Sequence, residues 1–378
     1  PFVKTGGLAD VTGALPKTLK EMGIDVRVIL PKHKNIDESA FPMRYKNLKF
    51  SCPISQGFVN GEIVEREYNG ITAYLVEKDE YYYRDYLYST PDGDYLDNAE
   101  RFIFFSKSIL EAIKVTGFVP DVLHCNDWET ALAPVFLRTT HKDDPVLKKI
   151  ATLFTIHNLG YQGIFWQYDL HLLNIGWEYF TPDYLEYFGK INFLKGGIVF
   201  SDIINTVSKK YSEEIQTEEF GCGLDGIIRT RKDDLFGIVN GIDYRDWDPD
   251  KDPYIPAPYT AENISGKELC KKVLQETFGL SSDKNIPVIA TISRLAEQKG
   301  FDLIAESLGE ILSYGAQYII LGTGERKYHD VFEDLSKRFP NSFGIKLAYD
   351  NKLAHLIEAG ADMFLMPSKY EPCGLNQL

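Results

Sequence analysis

The 378-residue chain is 44% hydrophobic and 25% charged, an ordinary balance for a globular protein long enough for two domains that each bury a core. Its 41 basic residues against 55 acidic ones give a formal charge of −14, which argues against nucleic acid or a membrane as partner and for a neutral or small-molecule substrate. The five cysteines, Cys52, Cys125, Cys222, Cys270 and Cys373, are scattered without a C-x-x-C pair, the pattern of reduced thiols in a cytoplasmic protein, and no apolar run reaches transmembrane length.

At the start, Lys4, Thr5, Gly6 and Gly7 precede a run in which Leu8, Val11, Leu15, Leu19 and Met22 recur at helical spacing. A glycine pair lets backbone approach a ligand, a helix start offers unpaired N–H groups, and Lys4 adds a cation. That combination suits a diphosphate, although Gly-Gly before a helix is more often a plain tight turn. Buried parallel strands are predicted at 25–30, 121–124, 150–157 and 202–207, with helical segments between them. The text from 243 to 267 is crowded with Asp and Pro and has no periodicity, so it reads as a linker. Alternation then resumes: strand 287–292, helix 301–312, strand 317–321, helix 328–339, strand 343–347, helix 353–359 and strand 362–366.

The expected architecture is two doubly wound, Rossmann-like α/β domains facing a cleft, with ligands at the carboxyl ends of the strands. Residues 1–245 form the first domain, 246–266 the linker and 267–378 the second. Both ends read as cut. A strand is expected before Pro1 and a helix after Leu378, so the second domain is expected to be incomplete and residues 1–378 alone inactive.

Several motifs fall at the predicted strand ends. In TISRLAEQKG (291–300), Arg294 and Lys299 sit in the loop between a strand and a helix start, where two cations can clamp a diphosphate. The ordinary alternative is a pair of solvated surface charges. His157 and Asn158 close an apolar strand in TIHNLGYQG (155–163), and His124 and Asp127 do so in HCNDW (124–128); a histidine there is equally a satisfied core residue. Glu371, on a loop kinked by Pro372 and Gly374, presents a carboxylate suited to sugar hydroxyls or to capping a helix. LGTGE (321–325), with Gly322, is a glycine turn that alone says little. The 23 Tyr and 23 Phe can stack on sugars, yet most such rings pack in cores. The seven histidines show no metal-binding spacing, and neither a P-loop nor G-x-S-x-G is present, so no metal is expected.

Taken in order, KTGGLADV (4–11), GDYLDNAERF (93–102), HCNDWET, TIHNLGYQG, NTVS (205–208), VNGID (239–243), SRLAEQKG (293–300), LGTGE and EPCGLNQL (371–378) resemble the ADP-glucose-dependent glycogen/starch synthase family in its bacterial form. The likeness runs the length of the chain. It implies the glycosyltransferase-B fold and transfer of glucose, with retention, from ADP-glucose to the non-reducing end of an α-1,4-glucan, without a metal. By that resemblance Lys4, Gly6 and Gly7 face the donor's phosphates and sugar, and Arg294 and Lys299 neutralise the departing diphosphate. His157 and Asn158 lie at the glucose, the His157 main chain or ring supporting positive charge at the anomeric carbon. Glu371 and the backbone of Cys373, Gly374 and Leu375 hold glucose hydroxyls. Asp127 lies near the sugar, Tyr95 lines the cleft, and Asn240 and Gly322 join the substrate-binding positions. Such a reaction needs charge stabilisation on the leaving group more than a strong acid, and the close carboxylate pair of retaining hydrolases is not evident in the sequence. The alternatives are a same-fold transferase using another donor such as UDP-glucose, a glucan phosphorylase, and a non-catalytic glucan-binding homologue.

Overall fold

The computed structural model describes residues 2–3, 6–39, 44–90 and 93–378, and the chain divides into two compact units, Pro1–Gly241 and Ile242–Leu378. The amphipathic run at the start is helix α1 (Gly7–Glu21), with Gly6 at its N-cap. The first unit contains two four-stranded sheets. One joins β1 (Arg27–Pro31), β2 (Arg44–Ile54), β3 (Gly57–Tyr68) and β4 (Ile71–Glu77) in the order β1-β4-β3-β2, with only the β1–β4 pair parallel. The long β2–β3 hairpin is an addition to the strand–helix alternation. It buries Phe50, Cys52 and Ile54 at every second position while Lys46 pairs across the strands with Glu65 at 2.5 Å.

The second sheet carries the chemistry-bearing strand ends. It consists of β5 (Val122–Asn126), β6 (Ala151–Ile156), β7 (Ile203–Thr206) and β8 (Leu235–Gly237) in the order β8-β7-β6-β5, all parallel. Helix α2 (Asn98–Thr116) is buried on most of its faces. Its Arg101 is tolerated inside because the guanidinium donates to the carbonyls of Tyr81 and Leu87 and to Asn98 Oδ1.

In the second unit, β9 (Val288–Ile292), β10 (Gln317–Leu321), β11 (Phe343–Lys346) and β12 (Met363–Phe364) form a parallel sheet in the order β11-β10-β9-β12. The crossovers are α3 (Phe301–Ser313), α4 (Arg326–Arg338) and α5 (Asn351–Gly360). β10 is buried at all five positions, and its residues feed two cores in alternation. Tyr318 and Ile320 join Leu295, Phe301, Leu308 and Phe332, whereas Ile319 and Leu321 join Leu274, Val288, Ala290 and Ile357. A strand covered on both faces needs such an unbroken apolar run, and each fully buried Ile or Leu contributes about 1.5–3 kcal/mol.

The segment from 246 to 266 packs on the second unit. The Trp247 ring lies 3.9 Å from the His355 ring at an interplanar angle of 2°, and Asp252 Oδ2 is 2.6 Å from His355 Nδ1, with both side chains buried. Among the described residues, no helix is long and apolar enough to cross a membrane.

Candidate active site

In the first unit the site grows from register. Asn126 of β5 stands opposite Thr155 of β6, so the residues just beyond these strands, Asp127 and His157, emerge near one another. Asp127 turns the chain through a left-handed conformation (φ 53°), and its Oδ1 accepts the His157 backbone N–H at 2.7 Å. The backbone N–H of Asn158 also bonds this carboxylate. Burial pushes the Asp127 carboxyl above the usual carboxylate range, and those two N–H donors pull it back. The His157 ring is 3.0 Å from Asn126 Oδ1, and burial, with His124 nearby, lowers its pKa to about 4, so the imidazole is neutral at pH 7. A second polar line crosses three strands: His124 Nε2 lies 2.6 Å from Thr155 Oγ1, which donates to Asn205 Oδ1 at 2.5 Å.

The loop after His157 is held from below. Asn158 Oδ1 accepts the Gly160 N–H, the Tyr211 hydroxyl accepts the Leu159 N–H, and the buried Gln162 amide donates to the carbonyls of Leu159 and Cys222. Tyr95 sits between two guanidinium groups, 4.6 Å from Arg84 and 5.1 Å from Arg101, so its ring has a packing role within the chain. Asn240 is half-buried just beyond β8. Lys4 lies outside the described residues. Gly6 and Gly7 form the start of α1, and a Cβ at Gly6 would meet no atom within 4 Å, so packing in the chain does not dictate that glycine.

In the second unit the loops after β9 and β12 are fastened together. The Lys369 N–H donates to the Gln298 carbonyl at 2.9 Å, and the Gln298 amide donates to the Tyr370 carbonyl at 3.1 Å. Between them Lys299 Nζ meets Glu371 Oε1 at 2.6 Å, with 20% and 16% of the two side chains exposed. Ser368 Oγ donates to the same oxygen at 2.7 Å, and among the described residues Oε2 of Glu371 makes no hydrogen bond. Gly300 closes this loop at φ 70°, and a Cβ there would run into the Pro367 carbonyl oxygen. Gly322 is explained in the same way: a Cβ would strike the Ser293 carbonyl, because the LGTGE turn lies against the strand of chain that carries Arg294. Arg294 is exposed, Cys373 is half-buried, and Gly374 (φ 73°) leads into the short turn Leu375–Gln377.

The structure therefore brings Asp127, His157 and Asn158 together in one unit, and Lys299 and Glu371 in the other. It adds Asn126, Thr155, Asn205 and Gln162, all present in the quoted motifs but singled out by none. Polar types at strand ends were their only signal.

Comparison with known proteins decides the family. The sequence model of the starch synthase catalytic domain matches residues 1–230. Glycogen synthase 1 of Geobacter metallireducens is 46% identical over 383 aligned residues, covering 100% of this chain and 76% of its own length. The chain belongs to the glycogen and starch synthase family. Another member, the glycogen synthase of Thermosipho africanus, is 45% identical over 384 residues, covering 100% of this chain and 78% of its own. Among solved structures, the catalytic domain of starch synthase IV from Arabidopsis thaliana bound to ADP and acarbose superposes with a TM-score of 0.93 at 30% identity, covering 100% of this chain and 78% of that one. The fold is thus of the glycosyltransferase-B type, with a parallel Rossmann-like sheet in each unit.

Proposed function

We propose that the protein is a retaining glycosyltransferase that moves glucose from ADP-glucose to the non-reducing end of an α-1,4-glucan in glycogen synthesis. The observation that carries this reading is likeness along the whole chain to glycogen synthases, joined to a 0.93 TM-score with a starch synthase domain bound to ADP and acarbose.

The acceptor belongs to residues 1–245 and the nucleotide sugar to 267–378, with 246–266 connecting them. Lys299 and Arg294 stabilise the diphosphate as the bond from C1 of glucose to its oxygen breaks, and Lys4, Gly6 and Gly7 face the donor's phosphates and sugar. Held by Glu371, the Lys299 ammonium is fixed before the charge develops, so little reorganisation is needed. Glu371 keeps Oε2 for glucose hydroxyls, beside the backbone of Cys373, Gly374 and Leu375. The acceptor hydroxyl forms the new bond to C1 on the face the phosphate leaves, and its proton passes to the departing phosphate oxygen.

His157 is suited to this step because its ring is neutral; an imidazolium would oppose positive charge at the anomeric carbon. Its N–H is committed to Asp127, so the ring and the carbonyl provide the support. Asn158 and Asp127 lie at the sugar, with Tyr95, Asn240 and Gly322 shaping the surrounding surface. No metal takes part in this scheme. Among the described residues no group of three or more His, Cys, Asp or Glu is arranged to hold one. Among the described residues none of the five cysteines forms a disulfide, in keeping with a cytoplasmic enzyme.

The test is release of ADP from ADP-glucose against release of UDP from UDP-glucose by the intact protein with glycogen present. ADP release should be much the faster and indifferent to EDTA. Equal or reversed rates would overturn the donor assignment.

A further inference from the structure

Glu129 follows Asp127 by two residues in the short turn Asp127–Thr130. Its Oε2 is shut off from solvent and has no hydrogen-bond partner among the described residues. The carboxyl accepts its own backbone N–H and the hydroxyl of Tyr88, itself packed against Phe102 and Trp128. Asp127, by contrast, receives two backbone N–H groups. Two adjacent carboxyls in a dry setting do not both ionise readily. The one held by two backbone N–H groups keeps the charge, and the one with a single backbone N–H, its own, and a phenol keeps the proton.

The surrounding charges do not reverse this order. Arg101 of α2 faces Tyr88, but its guanidinium donates to Tyr81, Leu87 and Asn98 rather than to Glu129. His157, at the end of β6, is neutral. Burial and the Asp127 charge both push the Glu129 carboxyl upward, and its own backbone N–H and the Tyr88 hydroxyl pull it down by a smaller amount.

We propose that Glu129 is a positioning residue that works as a neutral carboxylic acid, orienting Tyr88 and leaving Asp127 as the one anion beside His157 and Asn158. Its effect on transfer rests on the reading of Asp127 as a sugar-side group, whereas its protonation stands independently of that reading.

Two measurements separate these points. Infrared difference spectra of the intact protein, titrated from about pH 6 to pH 10, should show a protonated carboxyl at neutral pH that Glu129→Gln lacks. Tyr88→Phe removes the hydroxyl that favours the ionised form and should move the midpoint of that titration to higher pH; it answers the question even if Glu129→Gln fails to fold. In the transfer assay, ionisation of Glu129 should produce an alkaline loss of kcat/KM, which Glu129→Gln should displace upward by about one pH unit or more. An identical carboxyl titration in wild type and Glu129→Gln, or a midpoint unmoved or lowered by Tyr88→Phe, overturns the proposal. An alkaline limb unchanged in Glu129→Gln overturns the link to Asp127. Should the protein transfer no glucose at all, the spectroscopic titration still decides the state of Glu129.

Discussion

Replacing Lys299 with Met removes the ammonium but keeps most of the stem. In the structure this ammonium sits 2.6 Å from Glu371 Oε1, with about a fifth of its side chain exposed. An ion pair this accessible contributes no more than roughly 1 kcal/mol to folding. In a chain of this size that corresponds to a Tm decrease of about 1–2 °C. The catalytic loss should be far larger, because the charge that Lys299 faces grows as the diphosphate departs. One such contact is worth about 2.7 kcal/mol or more, a fall in kcat of roughly 10²-fold. Thermal scans and initial rates of ADP release should therefore disagree in magnitude. Combining Lys299→Met with Glu371→Gln completes a cycle, and a coupling of about 0.5–3 kcal/mol in the rate is expected if Glu371 orients the ammonium. A kcat within a few-fold of wild type alongside a large Tm loss would show that the pair only fastens the two loops, and would refute the reasoning.

His157→Ala should depress kcat far more than Tm, and a near-wild-type rate would remove the ring from the site. Gly300→Ala should destabilise by about 2 kcal/mol or more in denaturant titrations, since the residue combines φ 70° with a carbonyl where the methyl would go; an unchanged midpoint would contradict that geometry. Glu358, in α5, has its pKa pushed up to about 7 by burial, with Lys267 opposing. Its contribution to stability is therefore full below about pH 4.5 and lost as pH rises through about 7. Glu358→Gln should raise Tm at about pH 8, by up to about 3 kcal/mol of stability, with the gain vanishing near pH 4.5; a gain of the same size at both pH values would rule out the ionisation.

The second unit was legible in sequence because its first three strands are short apolar runs, each followed by a helix of clear period. The 317–321 strand coincides with its predicted bounds, and helix 301–312 gains one residue. The β2–β3 hairpin was not legible, since its strands mix charged and apolar residues and its turn at Ser55 carries neither Asn-Gly nor Asp-Gly. Site residues followed the same division. His157, Lys299 and Glu371 were singled out because they are ionisable and sit in the loops that follow strands. The pairing of Lys299 with Glu371 joins loops 72 residues apart, and no local pattern encodes that. The LGTGE turn said little in sequence, and the structure supplies a packing reason for its first glycine, since a Cβ at Gly322 would strike the Ser293 carbonyl.

The stacking of Trp247 on His355 has a bearing on how the protein is made. The Asp252–His355 bond spans 103 residues. At a synthesis rate of about 5–20 residues per second, the strap around Trp247 waits roughly 5–20 s before the helix that receives it has been translated. Throughout that interval Trp247 and Tyr254, which both meet the His355 ring in the folded unit, stand without that partner on the nascent polypeptide. The first unit can settle during the same interval. Within the second unit an early segment closes onto a helix translated 103 residues later, and chaperone dependence belongs to that window.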